Sequence, residues 1–233
     1  MPSAVILAGG LGTRLRSVVS DVPKPMAPVG SRPFLEYQLD YWINQGISRF
    51  VLSVGYRHET IIAHFGSHYK GVQLEYAIEE QPLGTGGGLL LAAAKLGQDR
   101  PFLLLNGDTY FEADWNVLDA FALEHEADWC FSLFETSEKG RYMGIGLSAQ
   151  GRITSLKSGI EQGHRLANAG VYWVHPRVLS GAGRLGEKMS LEDDLFPHAL
   201  TAGRRLCGIE FRGTFIDIGV PDDYRRAPSL LVR

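Results

Sequence analysis

Short apolar runs alternate along the chain with segments whose apolar positions recur at helical spacing. Ala4–Leu7 and Phe102–Leu105 are apolar throughout and read as strands buried on both faces. Phe50–Val54 is a further strand, and Val72–Ile78 alternates as a strand with one covered face does. Between them, Phe34–Asn44 places Leu35, Leu39 and Trp42 with Ile43 on one face, and Gly46 follows its end; this is a helix. His58–Phe65 reads as a short helix closed by Gly66. A helix near Asn116–His125 and a strand near Asp128–Phe134 continue the series. Such alternation predicts α/β layers.

The later part is less regular. Ile145–Ser148 and Ile153–Lys157 flank Ala149-Gln150-Gly151 as a hairpin would. Val171–Val174 reads as a strand after Asn168-Ala169-Gly170. Ser190-Leu191-Glu192-Asp193 resembles a capping box, with Asp in place of the usual Glu, and opens a helix over Leu191–Leu200 that Pro197 interrupts. Phe215-Ile-Asp-Ile-Gly219 is a short strand, and Pro221 suits the first turn of a final helix. With no repeat and no linker, 1–233 reads as a single domain of two lobes, about 1–110 and about 111–233.

Composition narrows the chemistry. The 233 residues are 45% hydrophobic and 21% charged, ample for one well-packed core. A net charge of −3 argues against a nucleic-acid surface, so an anionic ligand has to be met by a few placed cations. Glycines interrupt the first apolar run almost at once, which speaks against a signal peptide. The run Leu89–Ala94 is far short of the ~20 residues of a membrane helix. Cys130 and Cys207 lack metal-ligand spacing and read as reduced thiols of a cytoplasmic protein.

The candidate chemistry begins at Val5-Ile-Leu-Ala-Gly-Gly-Leu-Gly-Thr-Arg-Leu15. A Walker loop needs Gly-Lys-Ser/Thr after its glycines, but Thr13-Arg14 follows Gly12. A dinucleotide fingerprint needs a third glycine where Leu15 stands. What remains is a loop of small residues whose backbone N–H groups, around Leu7, Ala8, Gly9, Gly10, Gly12 and Thr13, can approach a phosphate or a base. Two cations accompany it: Arg14, and Lys24 held between Pro23 and Pro25. A second glycine-rich loop, Glu79–Gly88, leads to a helix over Leu89–Leu96. Its backbone at Gly84, Thr85 and Gly86 can meet a purine, and Glu79 or Glu80 can accept from guanine N1–H and N2–H. The alternative reading is that the glycines only open the helix. Asp108 follows a buried strand at the edge where open α/β sheets bind ligands. Asp217 alternates with apolar residues and needs a partner, for which a metal shared with Asp108, a backbone group or an arginine would serve.

These motifs resemble the sugar-1-phosphate nucleotidyltransferases over nearly the whole chain. Gly12-Thr-Arg-Leu-Arg-Ser-Val-Val19, Pro23-Lys-Pro-Met-Ala-Pro28 and Pro33-Phe-Leu-Glu-Tyr37 are most similar to the D-glycero-D-manno-heptose 1-phosphate guanylyltransferases. The resemblance implies a Rossmann-like three-layer α/β/α sandwich with a mostly parallel central sheet, a nucleotide-binding lobe and a sugar-binding lobe. It implies GTP and a sugar 1-phosphate as substrates, Mg²⁺ on Asp108 and Asp217, and Arg14 and Lys24 as phosphate-binding catalytic cations. It places Gly144, Asn168 and Glu192 at the sugar. It also implies relatives as rivals: a mannose-1-phosphate guanylyltransferase, a uridylyltransferase, or a non-catalytic nucleotide-sugar sensor, which would lose the metal carboxylates or the lysine. One departure stands out: Lys157-Ser-Gly159, with Glu161 beyond, replaces the Glu-Lys pair of many relatives. Neither nucleic acid nor membrane is expected as a partner, and the oligomeric state, a homo-oligomer included, stays open.

Overall fold

The computed structural model describes residues 1–10, 15, 22–97, 100–138, 141–158 and 165–232. Its first strand, β1 (Ser3–Ala8), shows how the layers arise. Ala4, Ile6 and Ala8 enter one hydrophobic core, and Val5 and Leu7 pack into another on the opposite face. The strand is apolar on both sides because both sides are covered.

The strands that follow are β2 (Pro28–Val29), β3 (Arg32–Pro33), β4 (Arg49–Val54), β5 (His68–Tyr69), β6 (Val72–Ile78), β7 (Phe102–Asn106) and β8 (Thr109–Phe111). Then come β9 (Trp129–Thr136), β10 (Met143–Leu147), β11 (Ile153–Ser158), β12 (Arg165–Val174), β13 (Leu206–Glu210) and β14 (Phe215–Asp217). The helices are α1 (Phe34–Asn44), α2 (His58–Phe65), α3 (Gly84–Ala93), α4 (Trp115–Glu124), α5 (Phe196–Thr201) and α6 (Pro221–Leu231).

The main sheet runs β11-β10-β12-β7-β1-β4-β6-β5, with β9 on β12 and β13 on β9. Its centre, β7-β1-β4-β6, is parallel. The return strand β12 is antiparallel to both β7 and β9. Leu35, Leu39 and Trp42 of α1, Ile61 and Phe65 of α2, and Leu118 of α4 cover one face. Leu89 and Ala92 of α3 and Phe196 of α5 cover the other. This is an α/β fold with the sheet between helical layers. Among the described residues, no helix is long and apolar enough to cross a membrane.

Several expectations are corrected. The glycines of the second loop do not precede the helix; they form its first turns, because α3 starts at Gly84 rather than Leu89. Four glycines make a poor helix former, so tertiary contacts hold this one. Gly86 and Gly87 N–H donate to Met189 O at 2.8 and 3.2 Å, and Met189 N–H donates to Leu83 O at 2.8 Å. A Cβ on Gly84, whose φ is +73°, would lie 2.5 Å from Met189 O. The segment expected to be a helix over Leu191–Leu200 is a π turn over Leu191–Leu195 followed by the short α5. Ser190 caps it as expected, its Oγ accepting from Asp193 N–H at 3.0 Å. The reciprocal bond to Ser190 N–H comes from Asp194, not Asp193, at 2.8 Å. Finally, Asn168-Ala169-Gly170 lies inside β12, at a register shift between Asn168 and Tyr172, and not ahead of it.

Candidate active site

The four central strands end at one edge, and a cavity of about 340 Å³ opens there. Leu7 pairs with Asn106, and Gly107 N–H donates to Leu7 O at 3.0 Å, so the chain leaves β1 and β7 side by side. Glu79 N–H donates to Val54 O at 2.7 Å, which brings the end of β6 alongside. The walls come from Leu7, Ala8, Gly9 and Gly10, from Lys24 and Pro25, from Glu79, Pro82, Gly84 and Thr85, and from Asn106, Gly107 and Asp108. The structure thus gathers Leu7, Ala8, Gly9, Gly10, Lys24, Gly84, Thr85 and Asp108 as the sequence indicated. Gly12, Thr13 and Arg14 lie outside the described residues, as does Glu161.

Two expected nucleotide residues sit elsewhere. Glu80 is exposed and does not line the cavity; Glu79 does. The Glu79 carboxylate accepts from Ser53 Oγ–H at 2.8 Å and from Leu83 N–H at 3.1 Å, beside the first turn of α3. It fills the space against Gly9, where any Cβ would collide with it. Gly86 is buried, and its N–H is already committed to Met189 O. It cannot also donate to a base.

Lys24 begins a short 3-10 turn, Lys24–Met26, with Pro23 before it and Pro25 within it. Its ammonium forms an ion pair with Asp108. Asp217 arrives from the other direction. The β8–β14 pair sets Asp217 opposite Thr109, and Ile218 N–H donates to Asp108 O at 3.0 Å. A Cβ on Gly219 would meet the Lys24 ammonium and lie 2.7 Å from Asp217 Oδ1, so a larger residue here would require the lysine and the carboxylate to shift. Asp217 Oδ1 accepts from Gly219 N–H at 2.7 Å. Burial, and then the neighbouring Asp108 charge, push the Asp217 carboxyl above its ordinary range. A buried carboxylate whose ionisation a neighbouring carboxylate makes costlier wants a cation. Among the described residues, no group of three or more His, Cys, Asp or Glu side chains is poised for a metal. Such a pair fits a divalent cation held by one or two carboxylates together with waters and substrate phosphates.

The residues expected at the sugar do not line the cavity themselves, though Glu192 bonds Thr85, which does. Glu192 Oε2 accepts from Thr85 Oγ1–H at 2.9 Å and from Ser190 Oγ–H at 3.2 Å. Asn168 Nδ2 donates to the fully buried Tyr172 hydroxyl at 2.7 Å. Burial, followed by the Glu192 charge, drives the Tyr172 phenol far above its ordinary value, so it stays neutral. Asn106, in the cavity wall, has a buried side-chain oxygen with no hydrogen-bond partner among the described residues. Gly144 is buried in β10 between Lys157 of β11 and Ala167 of β12. It is not in the cavity wall.

Sequence reasoning missed Asn106, Gln38 and Gly219. Gln38 Nε2 donates to Asn106 O and Thr109 O, both at 2.8 Å, and so clamps the backbone that carries Asp108. A buried glutamine on the apolar face of α1 was the available signal.

Against known proteins, the chain matches the family model described as Nucleotidyl transferase over residues 3–232. It is 39% identical over 228 residues to the D-glycero-alpha-D-manno-heptose 1-phosphate guanylyltransferase of Aneurinibacillus thermoaerophilus, covering 98% of this chain and 97% of that one. It is 36% identical to the protein of the same name from Campylobacter jejuni subsp. jejuni, covering 95% and 96%. The crystal structure of HddC from Yersinia pseudotuberculosis complexed with GMP-PN superposes with a TM-score of 0.85 at 33% identity, covering 98% of this chain and 99% of that one.

Proposed function

The chain belongs to the nucleotidyl transferase family, and we propose that it transfers the GMP unit of GTP to D-glycero-α-D-manno-heptose 1-phosphate. The observation that carries this reading is the near-full-length similarity to two guanylyltransferases of that specificity. In support, a glycine-lined loop, Lys24 and Asp108 line one cavity, and Asp217 lies opposite Thr109, next to Asp108 in the chain.

A sugar-phosphate oxygen attacks the α-phosphorus of GTP. The new P–O bond forms as the bond to the β-phosphate oxygen breaks, and pyrophosphate leaves with the electron pair. The attacking phosphate is already ionised at neutral pH, with a second pKa near about 6, so no general base is required. Both reactants are anions, and the protein's main task is to offset their charge. Lys24 shifts its ion pair from Asp108 to the substrate phosphates, and Arg14 joins it. Asp108 and Asp217 would hold Mg²⁺, which would supply further neutralisation of phosphate charge. Backbone N–H groups of Leu7 to Gly10, with Gly12 and Thr13, position the nucleotide. Glu79 faces the guanine N–H edge, the role that sequence also offered to Glu80. Gly84 and Thr85 close the same wall, while Asn168 and Glu192 serve the sugar side.

The test is pyrophosphate release with Mg²⁺, crossing the ribonucleoside triphosphates and dTTP against a panel of sugar 1-phosphates. Release confined to GTP with the manno-heptose substrate is the expected result. Release with mannose 1-phosphate or with UTP would keep the chemistry and replace the specificity. Folded protein that binds a nucleotide sugar but releases nothing would sink the catalytic reading and leave a binding protein.

A further inference from the structure

The Thr85 hydroxyl faces away from the duty that sequence gave it. It lies on α3 in the nucleotide wall of the cavity. Yet it donates to Glu192 Oε2 at 2.9 Å and accepts from Leu191 N–H at 2.8 Å. Its one donor and one of its acceptor sites are thereby committed to the segment that carries Glu192. That segment is a π turn, Leu191–Leu195, a geometry that often marks functional sites. Around the hydroxyl, Gly86, Gly87 and Leu83 join Met189 through three backbone hydrogen bonds. These bonds tie the first turn of α3 to the turn that carries Glu192. Glu192 Oε2 takes both hydroxyl donors, from Thr85 and Ser190. Its other oxygen, Oε1, accepts no hydrogen bond among the described residues.

We propose that Thr85 is a positioning residue: it aims the Glu192 carboxylate at the sugar 1-phosphate and couples sugar binding to the nucleotide helix. This rests on the reading that the cavity joins a nucleotide to a sugar phosphate. A valine at position 85 keeps the shape of threonine and removes the hydroxyl. Serine keeps the hydroxyl and removes the methyl. Glu192→Gln removes the carboxylate that Thr85 is said to aim.

Steady-state kinetics and equilibrium GTP binding on wild type, the three single variants and the Thr85→Val, Glu192→Gln double variant decide the matter, with thermal unfolding run alongside. Thr85→Val raises the KM for the sugar 1-phosphate at least about tenfold, the size of one lost hydrogen bond to a charged group, while GTP affinity stays within about twofold. Thr85→Ser restores the wild-type KM. The Thr85→Val, Glu192→Gln double variant loses no more than Glu192→Gln alone, because both act on one interaction. A Thr85→Val protein that loses GTP affinity and keeps its sugar KM overturns the proposal; so do additive losses in the double variant. If Thr85→Val fails to fold, a Thr85→Ser protein with an impaired sugar KM overturns it, and one that matches wild type beside an impaired Glu192→Gln supports it. Wild type silent with every substrate pair would instead defeat the underlying reading of the site.

Discussion

At the scale of single residues, the site balances like and unlike charges within one small volume. Asp108 pairs with Lys24 and also raises the cost of ionising Asp217. Asp108→Asn removes one of the two carboxylates with little change of shape. Turnover is expected to fall at least about 100-fold, in line with the loss of a preorganised electrostatic partner. The melting temperature should hold, since Asp108 is partly exposed at the cavity lip; pyrophosphate release and thermal unfolding measured together check both halves. Glu79 makes a contrasting case. Glu79→Gln turns one acceptor oxygen into a donor that faces Ser53 or Leu83 N–H, costing about 1–2 kcal/mol, and raises the KM for GTP. Glu80→Gln changes neither; urea unfolding and GTP kinetics of the pair separate the two glutamates. Here the limits of sequence reading have a physical cause. Lys24 was legible because its flanking prolines fix the backbone locally. The choice between Glu79 and Glu80 was not, because Ser53, on the neighbouring strand β4, decides which carboxylate turns inward.

At the scale of elements, α3 is the least self-sufficient helix of the fold and the one most tied to the site. Its four glycines at 84 and 86–88 suit contact more than helicity. Sequence could find the glycines but not the partner, Met189, about a hundred residues away. The central strands were legible for the opposite reason: full burial on two faces leaves an unbroken apolar run. The first half of β12, Arg165–Asn168, is partly polar and is held by β9, a distant partner. Likewise β13 escaped notice, since Leu206-Cys-Gly-Ile-Glu210 carries no alternation and is defined by its parallel pairing to β9. Gly87 tests the contact argument. Alanine would improve helix propensity by about 1 kcal/mol, yet its methyl would collide with Glu187 O and come within 2.8 Å of Leu83 Cβ. Overpacking costs about 1–3 kcal/mol, so Gly87→Ala should lower the urea midpoint and raise both substrate KM values. A stabilised variant would show that propensity governs α3 after all.

Across the whole molecule, function and stability occupy opposite edges of the sheet. The cavity opens at the carboxyl ends of β1, β4, β6 and β7. At the far edge, Val174 at the end of β12 pairs with Phe102 at the start of β7, and just beyond lies Asp128. This buried carboxylate ties three segments together. Its Oδ1 accepts from Arg177 Nε at 2.6 Å and its Oδ2 from Arg205 N–H at 2.7 Å, while its carbonyl accepts from His175 N–H at 3.0 Å. Burial works to raise the Asp128 carboxyl, but the Arg177 guanidinium and the Arg205 N–H outweigh it and hold the group below its ordinary value. The sign of the linkage follows. A depressed folded value means that Asp128 contributes fully above its unfolded value of about 3.9, and that this contribution is lost as pH falls through the lower folded value. Asp128→Asn should therefore cost about 1–3 kcal/mol at neutral pH, and kcat should stay unchanged because the cavity lies at the other edge. Urea midpoints of the two proteins should differ by a constant amount between about pH 5 and 7 and converge below about pH 4. A gap that persists into acid would assign the cost to lost shape instead of lost charge, and a fall in kcat would mean that the two edges are not independent.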